Sequence, residues 1–437
     1  MPPEDFDMSM DSATTADALA RHTSRSSVSR LILATSIGNA LEFYDLVVYG
    51  YFAAVLSRTF FPVHDRTVSL LLTLGTFALS YLARPIGALA LGSFSDRKGR
   101  KASLTLSIAL MTLGTGMIAL MPSYAAIGVL APIGVFASRL LQGFSAGGEF
   151  GSSTAFLIEH APQRKGFMAS WQFSSQGAST LLASLFGAVL TSTLSTAQLE
   201  SWGWRIPFLF GLLIGPVGLY IRRRIDETPE FERAEKSAAP VRELLAMQKE
   251  RVLVSIGALV LTTTANYMLL YMPTYAARQL GLAPSSGFIA TLAAGLIMMV
   301  LTPIVGHLSD KVGRVRIMLC AGVLFFATVY PAFMLMNAHP SLGSLLAAVT
   351  WVAILKATYF APIPALMSEL FPTRTRTTGM AFGYNIGTTV FGGFTPLAVA
   401  ALIAATGNNL APGLYLMLAA VLSLFTVTWA RVRLHAR

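Results

Sequence analysis

Gly92-Ser93-Phe94-Ser95-Asp96-Arg97-Lys98-Gly99-Arg100-Lys101 is a short charged turn between two apolar runs, and the chain contains it twice. The second copy, Gly306-His307-Leu308-Ser309-Asp310-Lys311-Val312-Gly313-Arg314-Val315, begins 214 positions later in a chain of 437. Glycine, aspartate, a base, glycine and arginine recur at the same spacing. A charged turn between apolar helices, repeated at half the chain length, implies a duplicated membrane bundle. Another repeat agrees: Glu159-His160-Ala161-Pro162-Gln163-Arg164 matches Glu369-Leu370-Phe371-Pro372-Thr373-Arg374 at an offset of 210.

Composition points to the same solvent. Hydrophobic residues make up 54% and charged residues 12% of the chain, about half the charge of a soluble protein. That much apolar surface needs lipid around it. Twelve apolar spans are predicted: 30–57, 67–93, 101–121, 125–158, 166–194 and 203–221 in the first half, then 251–277, 286–309, 315–337, 342–369, 377–405 and 411–431. The expected fold is an all-α membrane protein, two pseudo-symmetric six-helix bundles over 30–221 and 251–431. Residues 222–250 then form a cytoplasmic linker, its second part an interfacial helix, and 432–437 a short C-terminus. The first 29 residues are polar, without the apolar core of a signal peptide, and are expected to be a disordered tail.

The net charge of +11 raises the question of nucleic acid, but its distribution answers otherwise. With the N-terminus inside, and residues at span ends counted with the adjoining loop, 25 of the 32 Lys and Arg fall in the tail, the even-numbered loops and the C-terminus. Four lie outside (Arg58, Arg66, Arg205, Arg278) and three within spans (Arg84, Arg139, Lys356). This asymmetry predicts both termini in the cytoplasm and explains the charge as topology. No nucleic-acid partner is expected.

Charges inside a bilayer cost a few kcal/mol each and are retained mainly for function. The candidates are Glu42 and Asp45 in span 1, Arg84 in span 2, Arg139 and Glu149 in span 4 and Lys356 in span 10. At about 100° per residue, Asn39, Glu42, Asp45 and Tyr49 share one face, and Arg139, Gln142, Ala146, Glu149 and Ser153 form another stripe. Burial favours a protonated carboxyl and a nearby arginine favours the ionised one, the competition that proton coupling needs. Asp45, then Glu42 and Glu149, are the predicted proton-coupling groups; a static buried pair with Arg139 is the structural alternative. Arg139 and Lys356 are the predicted charges for substrate. Asn39, Tyr49, Gln142, Gln172, Gln176, Tyr267, Tyr271, Tyr359 and Asn385 are candidate polar contacts, each also able to serve as interhelical glue. The four-residue spacing of Gly143, Gly147 and Gly151 reads as close helix packing. Asp96, Arg97, Arg100, Asp310, Arg314, Glu159, Arg164, Glu369 and Arg374 are expected to form charge networks that hold a gate shut.

The twin turns resemble the loop between the second and third helices, and its counterpart between the eighth and ninth, in the major facilitator superfamily. Gly38-Asn39-Ala40-Leu41-Glu42-Phe43-Tyr44-Asp45, Arg84-Pro85-Ile86-Gly87, the run from Arg139 to Glu149 and Trp202-Gly203-Trp204-Arg205-Ile206-Pro207-Phe208 resemble the metabolite:proton symporter family within it. The second half resembles that family mainly through its turn, the Glu369 segment and Phe391-Gly392-Gly393-Phe394-Thr395-Pro396. The resemblance implies alternating-access symport, in a bacterial inner membrane, of protons with citrate or another di- or tricarboxylate, a cyclic acid such as shikimate, or the osmolytes proline and betaine. Lys356, which is not part of that pattern, favours a substrate with surplus carboxylates.

No lysine follows a glycine, so a phosphate-binding P-loop is excluded. The six histidines show no metal-ligand spacing. Neither an enzyme nor a bound cofactor is expected, the proton gradient being the energy source. The predicted partners are a small organic acid, protons and lipid, for a monomeric protein. A membrane sensor with the same fold but no turnover, and a hydrophobic-drug exporter, are the competing classes.

Overall fold

The computed structural model describes residues 42–98, 100–147, 149–159, 163–223, 246–372 and 375–434, with isolated positions at 32, 36, 37, 39, 40 and 244. The predicted tail and most of the predicted linker lie outside them.

Among the described residues every regular element is helical, and they form twelve spans. The first half contains α1 (residues 42–60, turned at Phe52), α2 (Arg66–Lys98), α3 (Arg100–Leu120), α4 (Leu130–Ala146, continued by Glu149–Glu159), α5 (Lys165–Thr193) and α6 (Arg205–Arg223). The second contains α7 (Lys249–Arg278), α8 (Pro284–Val312), α9 (Arg314–Ala338), α10 (Leu342–Phe360, continued by Ile363–Leu370), α11 (Arg376–Gly387 and Thr395–Thr406) and α12 (Ala411–Arg433). Eight of them, α2, α5 and α7 to α12, are each long and apolar enough to cross a bilayer. The other four are shorter or broken within the described residues.

Local chemistry explains the breaks. In α10 the turn falls at Ala361 and Pro362, where proline has no N–H to continue the ladder. In α11 a wide π-type turn over Thr388–Gly393 leads into Pro396. The second charged turn joins α8 to α9 through Gly313, whose φ of +101° suits glycine, and this explains why the repeat keeps a glycine there. Gly143 and Gly147 lie against the backbone carbonyls of Ser80 and Arg84, so a side chain at either would collide with α2. The glycine spacing is indeed a packing device.

Apolar side chains such as Leu82, Leu113, Val300 and Phe425 remain exposed on the outer faces, as expected for a surface solvated by lipid. Polar residues turn inward, and the two halves meet along their whole length. At the end that carries the charged turns, Asp310 of α8 accepts hydrogen bonds from the Gly166 and Phe167 amides of α5 at 2.7 and 3.0 Å. Midway, Phe150 stacks on Tyr384 at 3.6 Å and Phe173 on Phe360 at 3.3 Å. At the far end Tyr51 and Phe52 pack on Phe288, and Arg278 donates to the Arg66 carbonyl at 3.1 Å.

Candidate substrate and proton site

Asp45, Arg84, Arg139 and Lys356 are all drawn into the interior, none more than 4% exposed. Asp45 projects from α1 toward α3 and α6. One of its carboxylate oxygens accepts a hydrogen bond from Thr115 of α3 at 2.5 Å. The other has no hydrogen-bond partner among the described residues and lies against Gly211 of α6. Thr115 in turn accepts from the Gln142 amide at 2.9 Å, and the Gln142 oxygen accepts from Arg139 at 2.8 Å. Arg139 and Gln142 are one turn apart on α4, which puts both on the face toward α1 and α3.

Arg139 is thereby oriented without an ion pair. Its guanidinium lies 4.5 Å from the Tyr49 ring and 5.0 Å from the Phe77 ring, and it donates to the Ser80 hydroxyl at 3.3 Å. Aromatic faces stabilise a desolvated guanidinium by about 2 kcal/mol or somewhat more, well below what an ion gives up in leaving water. The direct Asp45–Arg139 pair considered from sequence is replaced by a relay of two uncharged side chains.

Glu42 and Asp45 do not converge. Glu42 is half-buried and acts electrostatically on Arg84 of α2 and Tyr384 of α11, at the seam between the halves. Arg84 lies 4.1 Å over the Tyr81 ring, and two of its nitrogens lack hydrogen-bond partners among the described residues.

Lys356 belongs to the second half. Its ammonium donates to Asn266 of α7 at 2.5 Å, meets the Met298 sulfur of α8 at 2.8 Å and lies 5.4 Å from the Phe360 ring. Lys356 is thus surrounded by an amide, a thioether and an aromatic ring, whereas Arg84 has Glu42 within electrostatic reach.

The remaining candidates divide into seam and scaffold. At the seam, the Tyr81 and Tyr267 hydroxyls share a hydrogen bond at 2.6 Å, Gln176 donates to Tyr384 at 3.4 Å, and Asn385 donates to the Gly147 carbonyl at 2.6 Å. Within a half, Asn39 and Gln172 bond each other at 2.8 Å, Tyr49 reaches the Thr73 carbonyl at 3.4 Å, and Tyr359 donates to the Ala258 carbonyl at 3.1 Å. Tyr271 is buried near the far end of α7.

Among the residues expected to form a gate, Arg314 bridges Asp310 at 3.2 Å and Glu369 at 2.6 Å, both within its own half. Asp310 then caps the start of α5 in the other half, where amide groups and the helix dipole favour a negative charge. Arg164 is exposed at the position preceding α5. The side chains of Asp96, Arg97, Arg100, Glu149 and Glu159, and Arg374 altogether, lie outside the described residues.

Sequence reasoning passed over Thr115, Ser80, Asn266 and Met298. Asn266 was findable, as an amide in the middle of an apolar span. Thr115 was not, because a threonine can satisfy itself against its own helix backbone and carries no visible demand for a partner.

This architecture has known counterparts. The family model described as "Sugar (and other) transporter" matches residues 31–238 and 230–432. The chain belongs to that transporter family, and its fold is that of the major facilitator superfamily. The transporter is 37% identical to the citrate-proton symporter of Klebsiella pneumoniae, over 96% of this chain and 96% of that protein. It is 34% identical to the proline/betaine transporter of Escherichia coli (strain K12), over 91% of this chain and 82% of that one. A crystal structure of D-xylose-proton symporter superposes on it with a TM-score of 0.75 at 18% identity, covering 91% of this chain and 96% of that chain. The last likeness is one of fold.

Proposed function

We propose that this transporter is a proton-coupled symporter that imports a small organic acid, a di- or tricarboxylate such as citrate, by alternating access. The observation that carries the reading is Lys356, a fully buried ammonium with an amide, a thioether and an aromatic ring around it. A buried cation without a counter-ion is unfavourable, and an arriving carboxylate supplies the missing charge. With Arg139 and Arg84 it makes an interior of three cations, against Asp45, fully buried, and Glu42, half-buried within electrostatic reach of Arg84. The naming of a relative as a citrate-proton symporter supports the same class.

Coupling follows from the relay. An acid group that engages Arg139 draws the guanidinium from Gln142; Gln142 releases Thr115, and Asp45 loses the donor that favours its ionised form. Asp45 then takes a proton, and the loaded site has its charges balanced for the change of access. Asp310, Arg314 and Glu369 hold the charged-turn end shut until that change. The protein sits in the bacterial inner membrane with both termini in the cytoplasm, as the distribution of Lys and Arg supports.

The test is uptake of labelled citrate into proteoliposomes under an imposed pH gradient, with proline and betaine as competitors. Uptake that collapses with the gradient and in Lys356→Gln is expected. A second reading, symport of a zwitterionic osmolyte, is favoured by the 34% identity to the proline/betaine transporter. Uptake of proline or betaine that ignores Lys356→Gln would establish it instead. Specific binding of an acid with no uptake in either direction would identify a sensor.

A further inference from the structure

At the end opposite Asp310 the seam holds a cavity of about 110 Å³, several times the roughly 10–15 Å³ that one water requires. Its apolar wall comes from α2 and α11, with Leu70 and Ile403, and its polar wall from α7, with Tyr271, Arg278 and Gln279. Both halves therefore contribute. The Gln279 side-chain oxygen is buried and without a hydrogen-bond partner among the described residues. Arg278 spends one N–H on the Arg66 carbonyl at 3.1 Å, the bond that ties the end of α7 to the start of α2. Arg58 and Arg66 are close enough to act electrostatically on Arg278. Of the acidic groups here, Asp65 has an oxygen engaged by the Thr67 and Val68 amides at 2.7 and 3.3 Å, and Glu200 pairs with Arg58 at 2.5 Å.

These groups offer a cation, a hydroxyl donor and an unused acceptor around a small hollow, the complement of a hydroxylated carboxylate. We propose that the cavity is a second, outer binding site for the substrate acid, and that the acid releases the Arg278 latch as it binds. A carboxylate adds the attraction of an opposite charge and can bond the guanidinium through two oxygens, whereas the Arg66 carbonyl offers one neutral acceptor, so the acid competes for Arg278. Releasing the Arg66 carbonyl frees α7 from α2 at that end. Arg66, beside Arg278, adds a second positive charge that attracts anions to this end. The proposal rests on the organic-acid reading above and adds to it a sided entry step remote from Lys356.

Sidedness is the test. The Michaelis constant for citrate is measured in right-side-out and in everted vesicles bearing the full chain. Arg278→Gln is expected to raise it on the order of tenfold in one orientation only, with maximal rate held within about twofold. Arg278→Lys is expected to restore most of the loss. Lys356→Gln, by contrast, impairs both orientations. Gln279→Leu keeps the latch and removes the acceptor, so it serves if Arg278→Gln does not reach the membrane; about a threefold rise on the same side is expected. An unchanged constant in both orientations, or an equal rise in both, overturns the outer site while wild-type uptake leaves the organic-acid reading standing. Wild-type vesicles that take up no carboxylate overturn both.

Discussion

Arg139 and Asp45 do not touch: Gln142 and Thr115 stand between them, in hydrogen bonds of 2.8, 2.9 and 2.5 Å. A direct buried ion pair would be stable whether or not substrate were present. A relay through two neutral groups is different: under the proposed mechanism its two ends are loaded in turn.

Under the proposed mechanism Asp45→Asn holds the geometry of the Thr115 contact but cannot gain or lose a proton. Accumulation of citrate against its gradient is expected to be abolished, while counterflow exchange of labelled citrate continues. Loss of both in a protein that inserts normally would assign Asp45 to binding or structure.

Cutting the relay at either link severs the same connection. Thr115→Val and Gln142→Leu are each expected to lower proton-driven accumulation on the order of tenfold, and the double variant no further than the worse single one. In a double-mutant cycle the coupling energy should exceed about 0.5 kcal/mol, the scatter seen between independent sites. Simple additivity would mean that the two side chains act separately.

Lys356 opposes stability in the empty protein. Replacing a buried ionic group by an apolar side chain of similar length is often neutral or stabilising by about 1–4 kcal/mol. Lys356→Met is therefore expected to raise the thermal midpoint of the substrate-free protein while eliminating citrate uptake. Its midpoint should also lose the rise with added citrate that mass action gives the wild type. A midpoint that falls would assign Lys356 a structural role.

The gate prediction concerns Asp310. Its carboxylate caps the Gly166 and Phe167 amides across the seam and pairs with Arg314. Loss of such a cap costs about 1 kcal/mol. With Cys320 replaced by alanine and Ser170→Cys as the reporter, beside Gly306 at the seam, Asp310→Asn is expected to speed alkylation several-fold. Unaltered labelling would remove Asp310 from the gate.

The duplicated turn, the twelve spans and the inward orientation of Asp45, Arg139 and Lys356 were all legible in the chain. Periodicity and the cost of charge in hydrocarbon are properties of residue order, and they act before any tertiary contact forms. The helical face shared by Glu42 and Asp45 was read in the same way, yet the two carboxylates serve different neighbours. A separation of three residues rotates them enough for one to meet Arg84 and the other Thr115.

Residue order alone thus determined a duplicated helical bundle with a few charges held inside it, because the bilayer tolerates little else. Only the tertiary structure decided who meets whom: that Arg139 reaches Asp45 through two intermediaries, that Asp310 crosses to the opposite half, and that Lys356 faces Asn266 and Met298. Those pairings depend on how separate helices are rotated and shifted against each other, and hydropathy along a single strand of chain carries no information about that.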